Sequence, residues 1–263
     1  MKFSKTILST LLLASTATFA DTYNAEVGVD YVSDGAAIAR NVLPEDNVIP
    51  ADNFSSIQFH GTYNFSAVDT ANKPLGEADF LGKHSYIDAS YSSIDPDGGS
   101  SLDAQHIGVG FYIPNSIFYI GAQYVKFEDL NDTIVSVGIT PIDGLLITTS
   151  HNEEADDYNA NILAKYVTKL SGDTAINVEA GYAKGEDADN AFEDDEEDTL
   201  YLAADYYFTN RFSVGASITD QEESTYSIRS RYFHSENVSF NAELVSDKET
   251  DSDAFLIGAA MRF

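Results

Sequence analysis

Along most of its length the chain alternates apolar and polar residues with a period of two. Tyr23, Ala25, Val27, Val29 and Tyr31 share one face and Asn24, Glu26, Gly28 and Asp30 the other, which is the signature of a strand. The same pattern recurs at Ile57 to Phe65, Ile87 to Tyr91, Ile107 to Ile113, Phe118 to Tyr124 and Val135 to Ile139, and more weakly at Leu145 to Ser150. It continues at Tyr158 to Tyr166, Ile176 to Tyr182, Leu200 to Phe208, Phe212 to Ile218, Tyr226 to Tyr232, Val238 to Leu244 and Phe255 to Phe263. Fourteen strands are predicted, and a helical period is visible only around Leu75 to Leu81.

Alternation alone fits a soluble sandwich as well as a membrane barrel. The connections separate the two. Tight turns are expected at Pro114 to Ser116, Pro141 to Gly144, Ser171 to Thr174, Thr209 to Arg211 and His234 to Asn237. The intervening connections, at 33 to 53, 93 to 100, 128 to 132, 152 to 157, 184 to 198, 220 to 224 and 246 to 253, are mostly longer and acidic. Short turns on one rim and longer loops on the other indicate an all-β, antiparallel transmembrane β-barrel of about 14 strands, with 12 or 16 as alternatives. The exception is the long connection 66 to 83, on the short-turn side. No Asp, Glu, Lys or Arg interrupts the apolar faces, as a lipid-facing surface requires. Aromatic residues gather at strand ends as interfacial belts do: Tyr31, Tyr91, Tyr124 and Tyr182 on one rim, Phe65, Tyr166, Phe208, Tyr232 and Phe263 on the other. The absence of Trp departs from that pattern.

Residues 1–20 read as a signal peptide, with Lys2 and Lys5, an apolar stretch from Ile7 to Ala14, and Thr18-Phe19-Ala20 as cleavage site. The apolar stretch is too short for an anchor helix. Residues 21–263 are then the barrel. With 43 Asp plus Glu against 14 Lys plus Arg, the charge excludes attraction to nucleic acid as a main binding force, and the absence of cysteine removes disulfides and thiolate chemistry.

The last strand, with Phe255, Ile257, Ala259, Met261 and a terminal Phe263, resembles the C-terminal signal recognised by the barrel-assembly machinery of Gram-negative outer membranes. The segment Val68-Asp69-Thr70-Ala71-Asn72-Lys73-Pro74-Leu75-Gly76-Glu77-Ala78-Asp79-Phe80-Leu81, followed by Ala89-Ser90-Tyr91, is similar to a signature of the general bacterial porins. The resemblance implies an outer-membrane diffusion channel and transfers no pore residue. Gly76 and Asp79 stand where alanines are expected, which weakens a helix there; a short folded segment on the periplasmic side is the expectation.

On the opposite strand faces the expected lumen residues are Glu26, Asp30, His60, Asp88, His106, Lys165, Lys169, Glu179, Asp205, Arg229, Arg231, Glu243 and Arg262. Between them stand Asn24, Gln58, Thr62, Asn64, Asn161, Asn177 and Asn241. So polar a wall implies a wet channel. Charges alternate in sign from strand to strand: Lys165 precedes Glu179, Arg229 and Arg231 precede Glu243, and Arg262 meets Glu26 and Asp30. Either cross-strand pairing or a transverse field follows. The seven longer connections hold 29 of the 43 acids against Arg40, Lys184 and Lys248. The densest group is Glu186, Asp187, Asp189, Glu193, Asp194, Asp195, Glu196, Glu197 and Asp198, so a cation-preferring mouth is expected.

Catalysis is not expected. No histidine has Ser two positions on, as an outer-membrane phospholipase would, and Ser150 and His151 point to opposite faces. In the run from Asp187, Ala191 and Phe192 occupy positions where a calcium loop needs a ligand and a glycine. No cofactor or dedicated metal is expected. The expected partners are outer-membrane lipids and lipopolysaccharide, the assembly machinery, and small polar solutes and cations, with homo-oligomerisation left open. The rival reading is a structural, adhesive or receptor barrel whose loops fill the mouth, with residues 33 to 53 as candidate lid.

Overall fold

The computed structural model describes residues 22–33, 54–128, 130–152, 161–184, 198–220, 224–247 and 252–263. The expected signal peptide, residues 34–53 of the candidate lid and Glu186 to Glu197 of the acidic loop therefore lie outside the described residues.

The fourteen strands are β1 (Thr22–Ser33), β2 (Phe54–Asp69), β3 (Tyr86–Pro96), β4 (Leu102–Tyr112), β5 (Phe118–Phe127), β6 (Leu130–Ile139) and β7 (Leu145–Asn152), then β8 (Asn161–Lys169), β9 (Ala175–Ala183), β10 (Thr199–Thr209), β11 (Phe212–Asp220), β12 (Ser224–Phe233), β13 (Val238–Asp247) and β14 (Ser252–Arg262). Each pairs antiparallel with its sequence neighbours, and β14 pairs with β1, so the sheet closes. Phe263 completes that seam: its carbonyl accepts from the amides of Asn24 and Ala25, and its amide donates to the Ala25 carbonyl. In lipid only such closure satisfies every backbone group.

Register fixes the faces. Glu26 lies opposite Arg262 and Thr62, Asp205 opposite Asn177 and Gly215, and Lys165 opposite Glu179, so the charged residues share one side of the sheet, with Leu146, Ala203 and Leu256 set among them. Val137, Val178, Ile228, Phe240 and Ile257 are exposed on the other, forming the apolar jacket. Near the loop rim the Tyr91 hydroxyl donates to Asp103 (2.7 Å) and that of Tyr182 to Asp198 (2.8 Å), which aims both rings from lipid toward water.

Two loops differ from expectation. β3 and β4 run to Pro96 and from Leu102, and β5 and β6 leave only residues 128 and 129 between them. These connections are as tight as those on the opposite rim, because polar residues can continue a strand once it has left the hydrocarbon.

The connection between β2 and β3 does more than turn. Leu75–Glu77 form a 3-10 turn and Ala78–Leu81 a helical turn, despite Gly76 and Asp79. Leu75 and Ala78 are buried, and the Leu75 amide donates to the carbonyl of Asn210, between β10 and β11. Those strands stand about halfway around the ring from β2 and β3. The segment is thus a strap across the bore at the short-turn end.

The two faces predict different tolerances. Arg at Val137, Val178 or Ile228 should cost about 2 to 4 kcal/mol of folding stability in phospholipid vesicles. Arg at inward Ser92 should cost less than about 1 kcal/mol. Urea titration of the refolded barrels checks this.

Candidate functional site

The inner wall is charged on one side and uncharged on much of the other. From β3 to β7 it carries Gly108, Gly110, Gly121, Gly138, Ser90 and Ser136, with Tyr86, Tyr112 and Tyr119 clustered: the Tyr86 and Tyr119 hydroxyls lie 3.3 Å apart, and the rings of Tyr112 and Tyr119 5.0 Å apart. The pair Asp88 and His106 interrupts it, with His106 Nδ1 3.1 Å from Asp88 and Nε2 3.2 Å from Gln123.

From β8 round to β2 the wall is a chain of ion pairs. Arg229 Nε and Nη2 donate to the two oxygens of Asp205, each at 2.7 Å, a bidentate fork. Asn177, buried, donates from Nδ2 to Asp205 (3.0 Å) and Glu179 (2.8 Å). Arg231 Nη2 lies 3.1 Å from Glu26, and Arg262 Nε donates to the same carboxylate. Both guanidiniums pack on Phe233, at 4.9 and 4.6 Å from the ring centre, and Arg262 also on Tyr23 at 4.4 Å. His60 Nε2 lies 3.2 Å from Asp30, which also accepts from Asn241 (3.0 Å).

Lys165 with Glu179 and Arg262 with Glu26 pair as strand adjacency suggests, but Arg229 and Arg231 do not. Arg229 reaches past β11 to Asp205, and Arg231 reaches past β13 and β14 to Glu26, instead of either engaging Glu243. The Glu243 side chain, opposite Arg229 and Leu256 in the sheet, makes no hydrogen bond or ion pair among the described residues. Glycines on the strands between leave room for two of these contacts: a Cβ at Gly215 would stand 2.0 Å from Asp205 Oδ1, in the way of Arg229, and one at Gly258 1.8 Å from Asp30 Oδ1, in the way of Asn241. The wall is therefore largely self-neutralised.

The strap joins this wall. Lys165 Nζ lies 2.9 Å from Glu77 Oε2 and 3.4 Å from Glu179 Oε1, with the Phe80 ring 5.0 Å away. The Tyr207 hydroxyl donates to Glu77 Oε1 (2.8 Å), and Arg262 Nη1 to the Leu75 carbonyl (2.7 Å). Lys169 Nζ donates to the Asn72 carbonyl (2.9 Å), while Lys83 Nζ donates to Thr140 (3.2 Å) and faces Asp143 (3.7 Å). Burial pushes the Glu77 carboxyl up from its ordinary range, against the pull of Lys165 and the Tyr207 hydroxyl. The His84 imidazole, bonded to Ser66 Oγ (2.8 Å), is lowered by burial and by Lys73. Between strap and wall lies a cavity of about 310 Å³, lined by Glu77, Lys165, Glu179, Arg229, Arg231 and Glu243 among others. Among the described residues no group of three His, Asp or Glu comes together as a metal site.

Glu77 and Tyr207 were not among the expected lumen residues, Glu77 having entered only as part of the porin-like segment. The available signal was the strap itself, a connection too long for the turn its rim requires.

A closed antiparallel barrel, apolar outside and polar within, is a transmembrane β-barrel of the porin class. The model of the family described as "Putative general bacterial porin" matches residues 1–135, about half of the chain, and the protein belongs to that family. This places it in a bacterial outer membrane. Among solved structures it is similar to the Acinetobacter baumannii outer membrane protein Omp33, at 22% identity and a TM-score of 0.70 over 92% of this chain and 99% of that one. The KdgM porin (10% identity, TM-score 0.45, 90% and 99% covered) and a mutant of the Rhodopseudomonas blastica porin (12%, 0.42, 92% and 99%) follow. No curated protein matches the sequence.

Glu26 holds two guanidiniums, one of them buried. Glu26→Ala should cost about 3 kcal/mol of stability by leaving Arg231 and Arg262 without their carboxylate, whereas Glu243→Ala should be nearly neutral. Denaturant midpoints in detergent measure both.

Proposed function

We propose that the protein is a diffusion channel for small ions and polar solutes, with a preference for cations. The observation that carries the reading is the charged inner wall enclosing a polar cavity inside a membrane barrel: a lumen meant to stay dry would be packed with apolar side chains. The pairings leave Glu243 as an unmatched carboxylate on that wall, and the acids of the loop connections add negative potential at the outer mouth. Salt screens such a mouth with a Debye length of about 8 Å at physiological strength, so the preference weakens as salt rises. Lipopolysaccharide and its divalent ions are the natural neighbours of the acidic rim. No enzymatic step is proposed. The second reading, a structural, adhesive or receptor barrel, gains support from the strap, which obstructs the bore from the short-turn side.

Planar-bilayer recording separates the two. The channel reading expects stepwise conductance, with a reversal potential across a salt gradient that shows cation preference. That preference should shrink when Glu186 to Asp198 are replaced by a neutral linker. A folded but silent barrel favours the second reading, and an anion-preferring one removes the cation proposal. We also propose Phe255, Ile257, Ala259, Met261 and Phe263 as the assembly signal. Deleting Phe263 should lower heat-modifiable barrel in outer membranes, and unchanged levels would count against it.

A further inference from the structure

The strap is fastened by different means at its two sides. Beside its own strands the hold is apolar, with Tyr23, Val68 and Ala78 in one buried cluster. On the far wall it is polar: the Glu77 carboxylate rests on Lys165 and Tyr207 and the Leu75 amide on the Asn210 carbonyl, while the Leu75 carbonyl accepts from Arg262 of β14, beside β1. The segment is also bracketed by Asn72 (φ 57°) and Lys83 (φ 51°), two residues other than glycine held in the left-handed region. Residues that absorb a change in φ and ψ at the ends of a packed segment are where such segments swing. Each bracket is pinned to the rim, Asn72 by Lys169 and Lys83 by Thr140 and Asp143, so the ends stay in place while the middle turns.

The far-wall groups can part without stranding a charge. Lys165 is shared between Glu77 and Glu179, so it keeps a carboxylate when Glu77 leaves, and a freed Glu77 faces water in the bore. A buried pair whose cation loses all partners would resist opening far more strongly.

Resting on the porin reading, we propose that residues 73–82 are a gate: an apolar base against β1 and β2, hinges at Asn72 and Lys83, and Glu77 as the catch that holds the strap on Lys165 and Tyr207 in the closed position. The solute path at the short-turn end opens when the catch lets go and the strap folds back toward its base.

The chain has no cysteine, so an engineered pair reports strap position without background. The Leu75 amide and Asn210 carbonyl are 2.7 Å apart, which brings the two backbones within disulfide reach. In planar bilayers Glu77→Gln should raise the open fraction roughly tenfold over wild type, the change expected when Lys165 loses the buried Glu77 carboxylate but keeps Glu179. Leu75→Cys with Asn210→Cys should be silent when oxidised and conduct when reduced. If Glu77→Gln fails to fold, as judged by heat-modifiability, the cross-linked pair decides alone. An oxidised cross-link that conducts like the reduced form, or a folded Glu77→Gln barrel with the wild-type open fraction, overturns the gate and leaves the porin reading standing. A folded barrel that is silent in wild type, in Glu77→Gln and in the reduced pair overturns both.

Discussion

Hydrocarbon offers a peptide group nothing to bond with, and that constraint organises this molecule. Fourteen strands satisfy one another around a ring, and the ring has no spare edge because Phe263 bonds back to β1. Once the sheet is closed, alternation sends every second side chain into a space that lipid cannot reach. The charges of the chain collect in that space and in the loops, while the outer face stays free of them across the hydrocarbon.

Confining charges inside the ring then shapes the wall. Arg231 and Arg262 pack on aromatic rings, where an unmatched guanidinium is costly, and both, like Arg229, have a carboxylate. Arg229 and Arg231 reach across intervening strands to find one, and the glycine at 215 keeps the way clear for Arg229. The strap enters the same economy of charge through Glu77. It lies across the bore because Lys165 and Tyr207 on the far wall meet its carboxylate, which ties the strap to the ion pairs of the lumen.

The strand pattern was legible because period two is a local property of the sequence, and closure followed from the even strand number and the two kinds of connection. The inward direction of the charged residues was legible for the same reason. Their partners were not: Arg231 and Glu26 are far apart in sequence and three strands apart in the ring, and adjacency alone suggested Glu243. The strap announced itself as a connection of the wrong length, yet its course depends on Glu77 meeting Lys165 and Tyr207 through space, which no local pattern encodes. Loop lengths at β3 to β4 and β5 to β6 were overestimated because the apolar alternation fades before the strands end.

The central claim is that the inner face is wet and the outer face lies in lipid, and single cysteines in this cysteine-free chain read it directly. Ser136 and Val137 are adjacent in β6 and point to opposite sides. In proteoliposomes a charged, membrane-impermeant maleimide should label Ser136→Cys and leave Val137→Cys unlabelled. Labelling of Val137→Cys with protection of Ser136→Cys would invert the assigned faces and contradict the account.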